Sequence, residues 1–447
     1  MTAPTGNGDA AMALCEQVLE LVGTRGEAVV RASAGQSSLT RFANSRIHQN
    51  VSEDTGGVSL QVTVAGGRTA SASGNHTDQT GLTALVERAL AAAVLRPEDP
   101  EWPGLAGPAP ARGADHWDDE TAGASARTRA EAVGQFVGAG DGLEAAGFCS
   151  TSWSEVALAN SAGQRLAGRS TVASISGIQR AIGPDGKADG SGDWSSSRVR
   201  ELDAAAAGRL AATRAVASTA AEDIGPGHYE VVLEPDCVSD MVQFLSFGFS
   251  GKAHAEGTSF AHPGEAQFDP AFSMWDDAAD ERSIGLNFDA EGTPSALLNL
   301  VKGGVTGDLA HDRRSAARAG VQSTGHATGS TAFGAFPMNV IVGEGGDSVD
   351  ELISEVEHGL LVCGFWYTRI LDPKTQVVTG LTRNGLFRID EGKVGAAVRN
   401  LRFTQSYAAA LGAGRVLGIG NDGRRVGRYW VPSLRLSDWN FTGGAQG

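Results

Sequence analysis

Residues 37–50 of the chain read SSLTRFANSRIHQN and are mostly polar. Leu39, Phe42 and Ile47 are the only large apolar residues, and polar residues alternate with them as in a half-buried strand. The stretch therefore predicts a β-strand early in the fold. Two interpretations are open: an edge strand whose polar groups are satisfied by a neighbouring hairpin, or a strand that binds a peptide or a partner protein.

The sequence on either side of this strand alternates between helical and strand patterns. Apolar residues recur at helical spacing in four segments, and period-two alternation about Gly-Gly and NSAG turns predicts two hairpins. The predicted helices are 10–23, 78–95, 126–145 and 197–218, and the predicted hairpins are 58–74 and 154–180. This mixture predicts an α+β fold class.

Proline and glycine suggest the domain organisation. Residues 97–113 hold five of the fifteen prolines and predict an extended loop, because proline fixes φ and lacks an N–H donor. A Pro-Gly break near 222–228 predicts a boundary between an N-terminal α+β domain, residues 1–222 with a mid region over 114–222, and a strand-rich domain, residues 223–447. Within the second domain, LLVCGFWYTRIL (360–371) is predicted to be a central strand.

Charge and cysteine usage narrow the class of protein. A net charge of −16 argues against nucleic-acid binding, which needs Lys and Arg to neutralise phosphates. The four cysteines are far apart in the sequence and form no C-x-x-C motif; they are Cys15, Cys149, Cys237 and Cys363. We therefore expect buried free thiols in a reducing compartment. The N-terminus lacks a signal-peptide pattern, and the longest apolar run, 89–95, is too short to span a bilayer. A cytoplasmic location without membrane attachment is expected.

Common catalytic motifs are absent from the sequence. It contains no H-E-x-x-H, G-x-S-x-G, S-x-x-K or Walker A pattern. One G-x-G-x-x-G match occurs at Gly418, Gly420 and Gly423, but the residues that follow, 424–436, alternate as a strand. A dinucleotide site needs a helix there, so the match is interpreted as a β-turn.

His254, Glu256 and His262 lie within nine residues of one another in HAEGTSFAH, which makes them candidate metal ligands. Their spacing does not place them on one helix face, and no partner residue that would orient them is evident. Polar residues of a surface loop account for the segment equally well.

Six segments, spread over nearly the whole chain, form a pattern through their order and spacing. They are LTRFANSRIHQN (39–50), ANSAGQRLAGRST (159–171), NFDAEGTP (287–294), STGHA (323–327), FPMNVIVGEGGDSVDELISEVEHGLLV (336–362) and TGLTRNGLFRIDEGKVGAAVRNLRF (379–403). Together these segments resemble the TldD/PmbA (TldE) metallopeptidase family, and NFDAEGTP and STGHA are the most specific matches.

The resemblance implies an N-terminal α+β region, a barrel-like C-terminal domain and a heterodimer of two homologous subunits. It also implies action on small or unfolded peptides, including their maturation. In the TldD subunit an H-E-x-x-x-H helix and a later Cys hold zinc, with the Glu placed as general base. Here the corresponding helix, after YEVVLEP (229–235), has an ordinary apolar stripe, and GIGNDGRRVGRYW (418–430) lacks the Cys. The chain thus resembles the TldE/PmbA-type subunit, which binds no zinc.

Three functional hypotheses follow from these observations. The first is a non-zinc subunit that shapes the chamber of a complex whose TldD-like partner carries zinc, with no catalytic residue in this chain. The second is a self-sufficient hydrolase with a divergent site, and the third is a non-catalytic protein that binds a peptide or an intermediate; either a hetero- or a homo-oligomer is compatible. We expect Arg41, Asn44, His48 and Gln49 to face a cleft or the partner.

Overall fold

A six-stranded antiparallel sheet organises the N-terminal half of the protein, residues 8–222. The computed structural model describes residues 8–184 and 186–444. The strands are β1 (Glu27–Ala43), β2 (Arg46–Val64), β3 (Arg68–Gly74), β4 (Glu144–Asn160), β5 (Arg165–Gly183) and β6 (Gly186–Ser196). They lie in the order β3-β2-β1-β4-β5-β6.

Helices cover this sheet at both ends. They are α1 (Asp9–Val22), α2 (Gln79–Val94), α3 (Asp119–Ala122), α4 (Ala126–Gly138) and α5 (Ala204–Ala217). The first two pack on one end of the sheet, and α4 and α5 pack around Phe42 and Phe136 at the other. The four predicted helices are confirmed, but α4 ends earlier than predicted because Asp141 and Gly142 take positive φ angles and β4 begins immediately afterwards.

The stretch 37–50 is a hairpin tip and not one strand. Asn44 and Ser45 have φ angles of 50° and 57° and separate β1 from β2. Positive φ at both central residues is the requirement of a type I′ turn, and Asn adopts this conformation more readily than most residues. Alternation continues on both sides of the turn, which is why the sequence pattern did not separate the two strands.

The C-terminal half, residues 223–444, contains short helices and most of the strands. The helices are α6 (Pro235–Gly248), α7 (Gly251–Ala255), α8 (Arg313–Ala319), α9 (Val349–Ser354) and α10 (Tyr407–Ala410). The strands are β7 (Gly227–Leu233), β8 (Met274–Asp276), β9 (Leu298–Lys302), β10 (Val305–Thr306), β11 (Val340–Val342), β12 (His358–Val362), β13 (Phe365–Asp372), β14 (Val377–Thr382), β15 (Leu386–Asp390), β16 (Lys393–Ala397), β17 (Leu401–Ser406), β18 (Val416–Ile419), β19 (Arg424–Val426), β20 (Tyr429–Val431) and β21 (Leu434–Gly444).

These strands form two open sheets, so the α+β class is confirmed but the expected barrel-like closure is wrong. The larger sheet has the order β13-β14-β17-β21-β7-β12-β15-β16, with β18 also pairing with β21, and the smaller has the order β10-β9-β8-β11-β20-β19. The predicted central strand 360–371 is two strands. The break lies at Gly364. Before it, β12 lies inside the larger sheet, and after it, β13 forms an edge of the same sheet.

The core of the C-terminal half surrounds α6. Val238, Met241, Val242 and Leu245 are buried among residues of both sheets, as the apolar stripe in the sequence predicts. No helix in the described part of the chain combines the length and apolar character needed to cross a bilayer.

Replacing Leu245 by Ala tests the packing of α6. Leu245 has no exposed surface, so Leu245→Ala should lower the free energy of unfolding by about 2–5 kcal/mol. Leu95 is 85% exposed, and the matched change Leu95→Ala should stay within about 0.5 kcal/mol of the wild type. Urea unfolding followed by circular dichroism measures both values, and similar losses in the two variants would contradict this packing.

Candidate functional site: a cleft between the two halves

The helix after β7 is where the resemblance predicts a zinc motif, and its carboxylates are already engaged. Asp240 on α6 accepts hydrogen bonds from the Tyr407 hydroxyl and from Thr368 Oγ1, both at 2.7 Å. Burial raises the pKa of the Asp240 carboxyl. Both of its oxygens therefore serve the packing of α6 against β13 and α10.

An arginine joins the start of α6 to the segment in which the resemblance predicts a cysteine ligand. Arg424 on β19 donates to Asp236 on α6 at 2.8 Å and to Asp193 on β6 at 3.0 Å. Burial, followed by repulsion from Asp236, raises the pKa of Asp193 to about 6. Zinc sites need several thiolate, imidazole or carboxylate donors free to converge, so the residues present here do not fit the zinc group that the resemblance implies.

The alternative metal candidates do not converge either. The exposed His254 donates from Nδ1 to the carbonyl of Ala261 at 3.1 Å, and Glu256 pairs with Lys252 at 2.9 Å. The His262 side chain is exposed in the following loop. Across residues 8–184 and 186–444, no three His, Cys, Asp or Glu side chains are arranged to hold a metal ion.

The polar residues of the opening stretch lie at the tip of the β1–β2 hairpin. Arg41, Asn44, His48 and Gln49 are exposed, and none of them lines the large cleft described below. The prediction that they face a cleft therefore does not apply to this cleft. Contact with a partner protein remains a prediction.

The NFDAEGTP segment connects the two halves of the molecule. Phe288 packs with Leu158 of β4, and Gln164 donates from Nε2 to the carbonyl of Gly292 at 3.0 Å. Gly292 has a φ of 79°, and a Cβ there would lie 2.6 Å from Leu158, so this close approach requires glycine. The Asp289 carboxylate fixes the loop by accepting hydrogen bonds from backbone N–H groups, those of Glu291, Thr293 and Ala327.

A cleft of about 1020 Å³ opens beside this connection. Its floor is a polar patch on the N-terminal sheet, and its opposite wall belongs to the C-terminal half. The floor includes Arg31, Ser59, Gln61 and Ser71; the wall includes Lys252, Glu291, Asp312, Arg313 and Thr328; and the loop after α2 closes one end with Arg96 and Trp102. Its volume is at the upper end of the range usual for ligand pockets, about 300–1,000 Å³.

Glu291 on the cleft wall has a raised pKa. Its Oε2 accepts a hydrogen bond from the backbone N–H of Arg313 at 2.9 Å. Burial raises the pKa of Glu291 to about 7, and the nearby carboxylates of Asp289 and Asp312 add to the rise. Near neutral pH the cleft therefore contains a carboxyl group that is protonated in part of the molecules.

Sequence reasoning missed this cleft, although it found one of its components. NFDAEGTP was recognised as a specific segment, but nothing in the sequence singled out Glu291 within it. Arg31 gave one weak signal, a charged residue directly after the apolar run AVV of the strand EAVVRASA. Its approach to Arg313, 282 residues further along the chain, depends on tertiary structure.

Comparison with known families identifies this architecture. Three consecutive models match: "PmbA/TldA metallopeptidase domain 1" over residues 28–93, "PmbA/TldA metallopeptidase central domain" over 117–219 and "PmbA/TldA metallopeptidase C-terminal domain" over 226–443. The fold and the order of its parts are those of a metallopeptidase-type protein. The chain belongs to the PmbA/TldD family.

Solved structures share the whole fold at low sequence identity. A candidate modulator of a DNA gyrase from Thermotoga maritima MSB8 matches with a TM-score of 0.87 and 16% identity, covering 96% of this chain and 99% of its own. TldE from Thermococcus kodakarensis matches with a TM-score of 0.87 and 16% identity over 98% and 100% of the two chains. A candidate gyrase modulator from Bacteroides thetaiotaomicron VPI-5482 gives 0.84 and 19% over 99% and 100%. No curated protein matches the sequence.

The raised pKa of Asp193 predicts a specific pH dependence of stability. The folded state binds a proton up to about pH 6, whereas the unfolded state releases it near pH 3.8, so stability falls as pH rises between these values. Asp193→Asn removes this titration. Raising the pH from 4.5 to 6.5 should therefore cost the wild type roughly 1–2 kcal/mol more unfolding free energy than it costs the variant.

Urea unfolding at the two pH values measures the difference. Arg424→Lys keeps a cation between Asp193 and Asp236 and should retain most of the wild-type pH dependence. An Asp193→Asn variant with the same pH dependence as the wild type would contradict the assignment.

Proposed function

We propose that this chain is the non-zinc subunit of a TldD/TldE-type metallopeptidase complex in the cytoplasm. In that complex a TldD-like partner binds zinc and hydrolyses small or unfolded peptides, while this chain completes and shapes the substrate chamber. The observation that carries the proposal is that both carboxylates of α6 are already bound by other side chains, in a chain of the PmbA/TldD family. Asp240 is bound by Tyr407 and Thr368, and Arg424 occupies the space between Asp236 and Asp193.

Two further observations support parts of this proposal. The structure of TldE from Thermococcus kodakarensis has the same fold from end to end, with a TM-score of 0.87. The four cysteines are buried and unbridged, as is usual for a protein of a reducing compartment.

An exposed aromatic edge supports association with a partner. Strand β13 ends the larger sheet and exposes Trp366 and Tyr367, by 53% and 64%. The guanidinium of Arg383 lies 4.1 Å from the centre of the Trp366 ring, and that of Arg369 lies 4.5 Å from the centre of the Tyr367 ring. Trp, Tyr and Arg dominate the binding energy of protein interfaces, and unpaired sheet edges are usually covered.

Co-expression with a TldD-type homologue from the same source tests the complex. The two chains should co-purify, and hydrolysis of unstructured peptides should appear in the complex and not in this chain alone. Because an obligate-type interface buries more than about 2,000 Å², the complex should survive size-exclusion chromatography. Separate elution of the chains, or peptidase activity of this chain alone that is lost in His254→Ala, would contradict the proposal.

Truncation of the β13 aromatic residues tests the proposed interface. The double change Trp366→Ala and Tyr367→Ala should raise the dissociation constant of the complex at least about thirtyfold, because a single hot-spot aromatic residue contributes about 2 kcal/mol or more. Ile182 is 83% exposed on β5, away from this edge, and Ile182→Ala is the matched control. Equal affinities of the double variant and the control would exclude β13 from the interface.

The cleft favours a second role within the same protein. A pocket of about 1020 Å³ between the two halves is suited to hold a peptide or an intermediate without any hydrolysis by this chain. Peptide binding by the isolated chain, in the absence of a TldD-like partner, would support this role.

A further inference from the structure

Within the described residues, all acidic side chains that line the cleft have a partner, but not all of the basic ones do. Every acidic side chain there has a partner: Glu98 is paired with Arg68, Asp99 with Arg314, Glu291 with the Arg313 backbone, and Asp312 with the Ser315 backbone. Four of the cations are also engaged: Arg313 with the carbonyls of Pro103 and Gly104, Arg314 with Asp99, Arg318 with Glu101, and Lys252 with Glu256.

Two guanidinium groups of the cleft remain without an acceptor. Among the hydrogen bonds and ion pairs of the described residues, none involves the side chain of Arg31 or of Arg96. The unused charge of the cleft is therefore positive, in a chain whose net charge is −16. An unpaired cation that lines a cleft attracts an anionic ligand.

Arg31 is the better placed of the two cations. It lies in the middle of the sheet floor, opposite Ser59 of β2 and Leu158 of β4, whereas Arg96 follows the end of α2. The Arg31 side chain is still exposed to solvent on one side, but the surrounding walls remove part of its hydration, and this lowers the pKa of its guanidinium. An anion bound to this guanidinium would replace the water contacts that it has lost, and this favours anion binding.

The neighbouring floor suits a peptide group. Gln61 and Ser71 face each other in the register of β2 and β3, and no hydrogen bond within the described residues uses either side chain. An amide and a hydroxyl supply both donors and acceptors, which a backbone amide requires. Glu291 and Asp312 on the opposite wall would repel a doubly charged anion such as phosphate more strongly than a single carboxylate.

We infer that the cleft is a binding site for the C-terminal end of a peptide, with Arg31 holding the terminal carboxylate and Gln61 and Ser71 the adjoining backbone. The choice of a peptide over another carboxylate rests on the proposed function. Arg31 would act by binding, and no bond is made or broken at this site. A planar guanidinium can engage both carboxylate oxygens, which a lysine cannot reproduce.

Calorimetric titration of the full chain alone tests this site. The probes are two hexapeptide mixtures of identical composition, one with a free C-terminal carboxylate and one with a C-terminal amide. The acid mixture should bind roughly 10–100-fold more tightly than the amide mixture, the effect expected for a charge-assisted bidentate contact. Equal affinities, or no binding of either mixture, would overturn the proposal.

Substitutions locate the contact. Arg31→Gln should remove the preference for the acid, Arg31→Lys should retain part of it, and Arg96→Gln should reduce affinity less than Arg31→Gln. Arg209 is an exposed arginine on α5 outside the cleft, so Arg209→Gln is the matched control and should bind as the wild type. Circular dichroism and thermal unfolding verify that each variant is folded.

Two further results distinguish a carboxylate site at Arg31 from a general anion site. An Arg31→Gln variant that still prefers the acid would overturn the proposal, as would inorganic phosphate that displaces the peptide at equal concentration. The proposed interface with a TldD-type partner lies at β13 and not at Arg31, so Arg31→Gln should still co-purify with the partner. Loss of the acid preference with an intact complex supports the site, whereas an absent complex with acid-specific binding contradicts only the proposed function.

Discussion

The ion pairs of Arg424 with Asp193 and Asp236 hold the two halves of this protein in register. One guanidinium contacts a strand of the N-terminal sheet and the first turn of α6, and it belongs itself to the smaller C-terminal sheet. Arg214 of α5 pairs with Glu234 immediately before α6 and reinforces the same junction. Removing one partner of such a network leaves a charge without compensation, so the junction depends on all three groups together.

The same junction determines what α6 can do. The two carboxylates of α6 hold an arginine, a tyrosine and a threonine and are therefore committed to structure. The apolar face of the helix is committed to the core between the two sheets. Polar groups that a ligand could contact lie instead in the cleft, where the sheet floor and the opposite wall face each other. In the function proposed for this chain, the cleft supplies a binding surface while α6 serves the packing of the fold.

Local periodicity accounts for the parts of the fold that the sequence predicted. The helices α1 and α2, the Gly-Gly hairpin and the apolar stripe of α6 each arise from residues a few positions apart. The turn at Asn44 was missed because alternation continues on both sides of it, and the break at Gly364 was missed because both flanking segments are apolar. Open sheets cannot be distinguished from a barrel by strand patterns alone, since closure depends on which strands pair. The cleft, which joins Arg31 to a wall formed by residues 252–334, lies beyond any local pattern.

Zinc-dependent hydrolysis, in the function proposed for this chain, belongs to the partner subunit. Metal content, measured by mass spectrometry after mild chelation, tests that assignment most directly when this chain alone and its co-purified complex are compared. We expect zinc near zero for the isolated chain and about one zinc per complex. One zinc per isolated chain would contradict the assignment, and substitution of His254, Glu256 and His262 would then identify whether those residues supply the ligands.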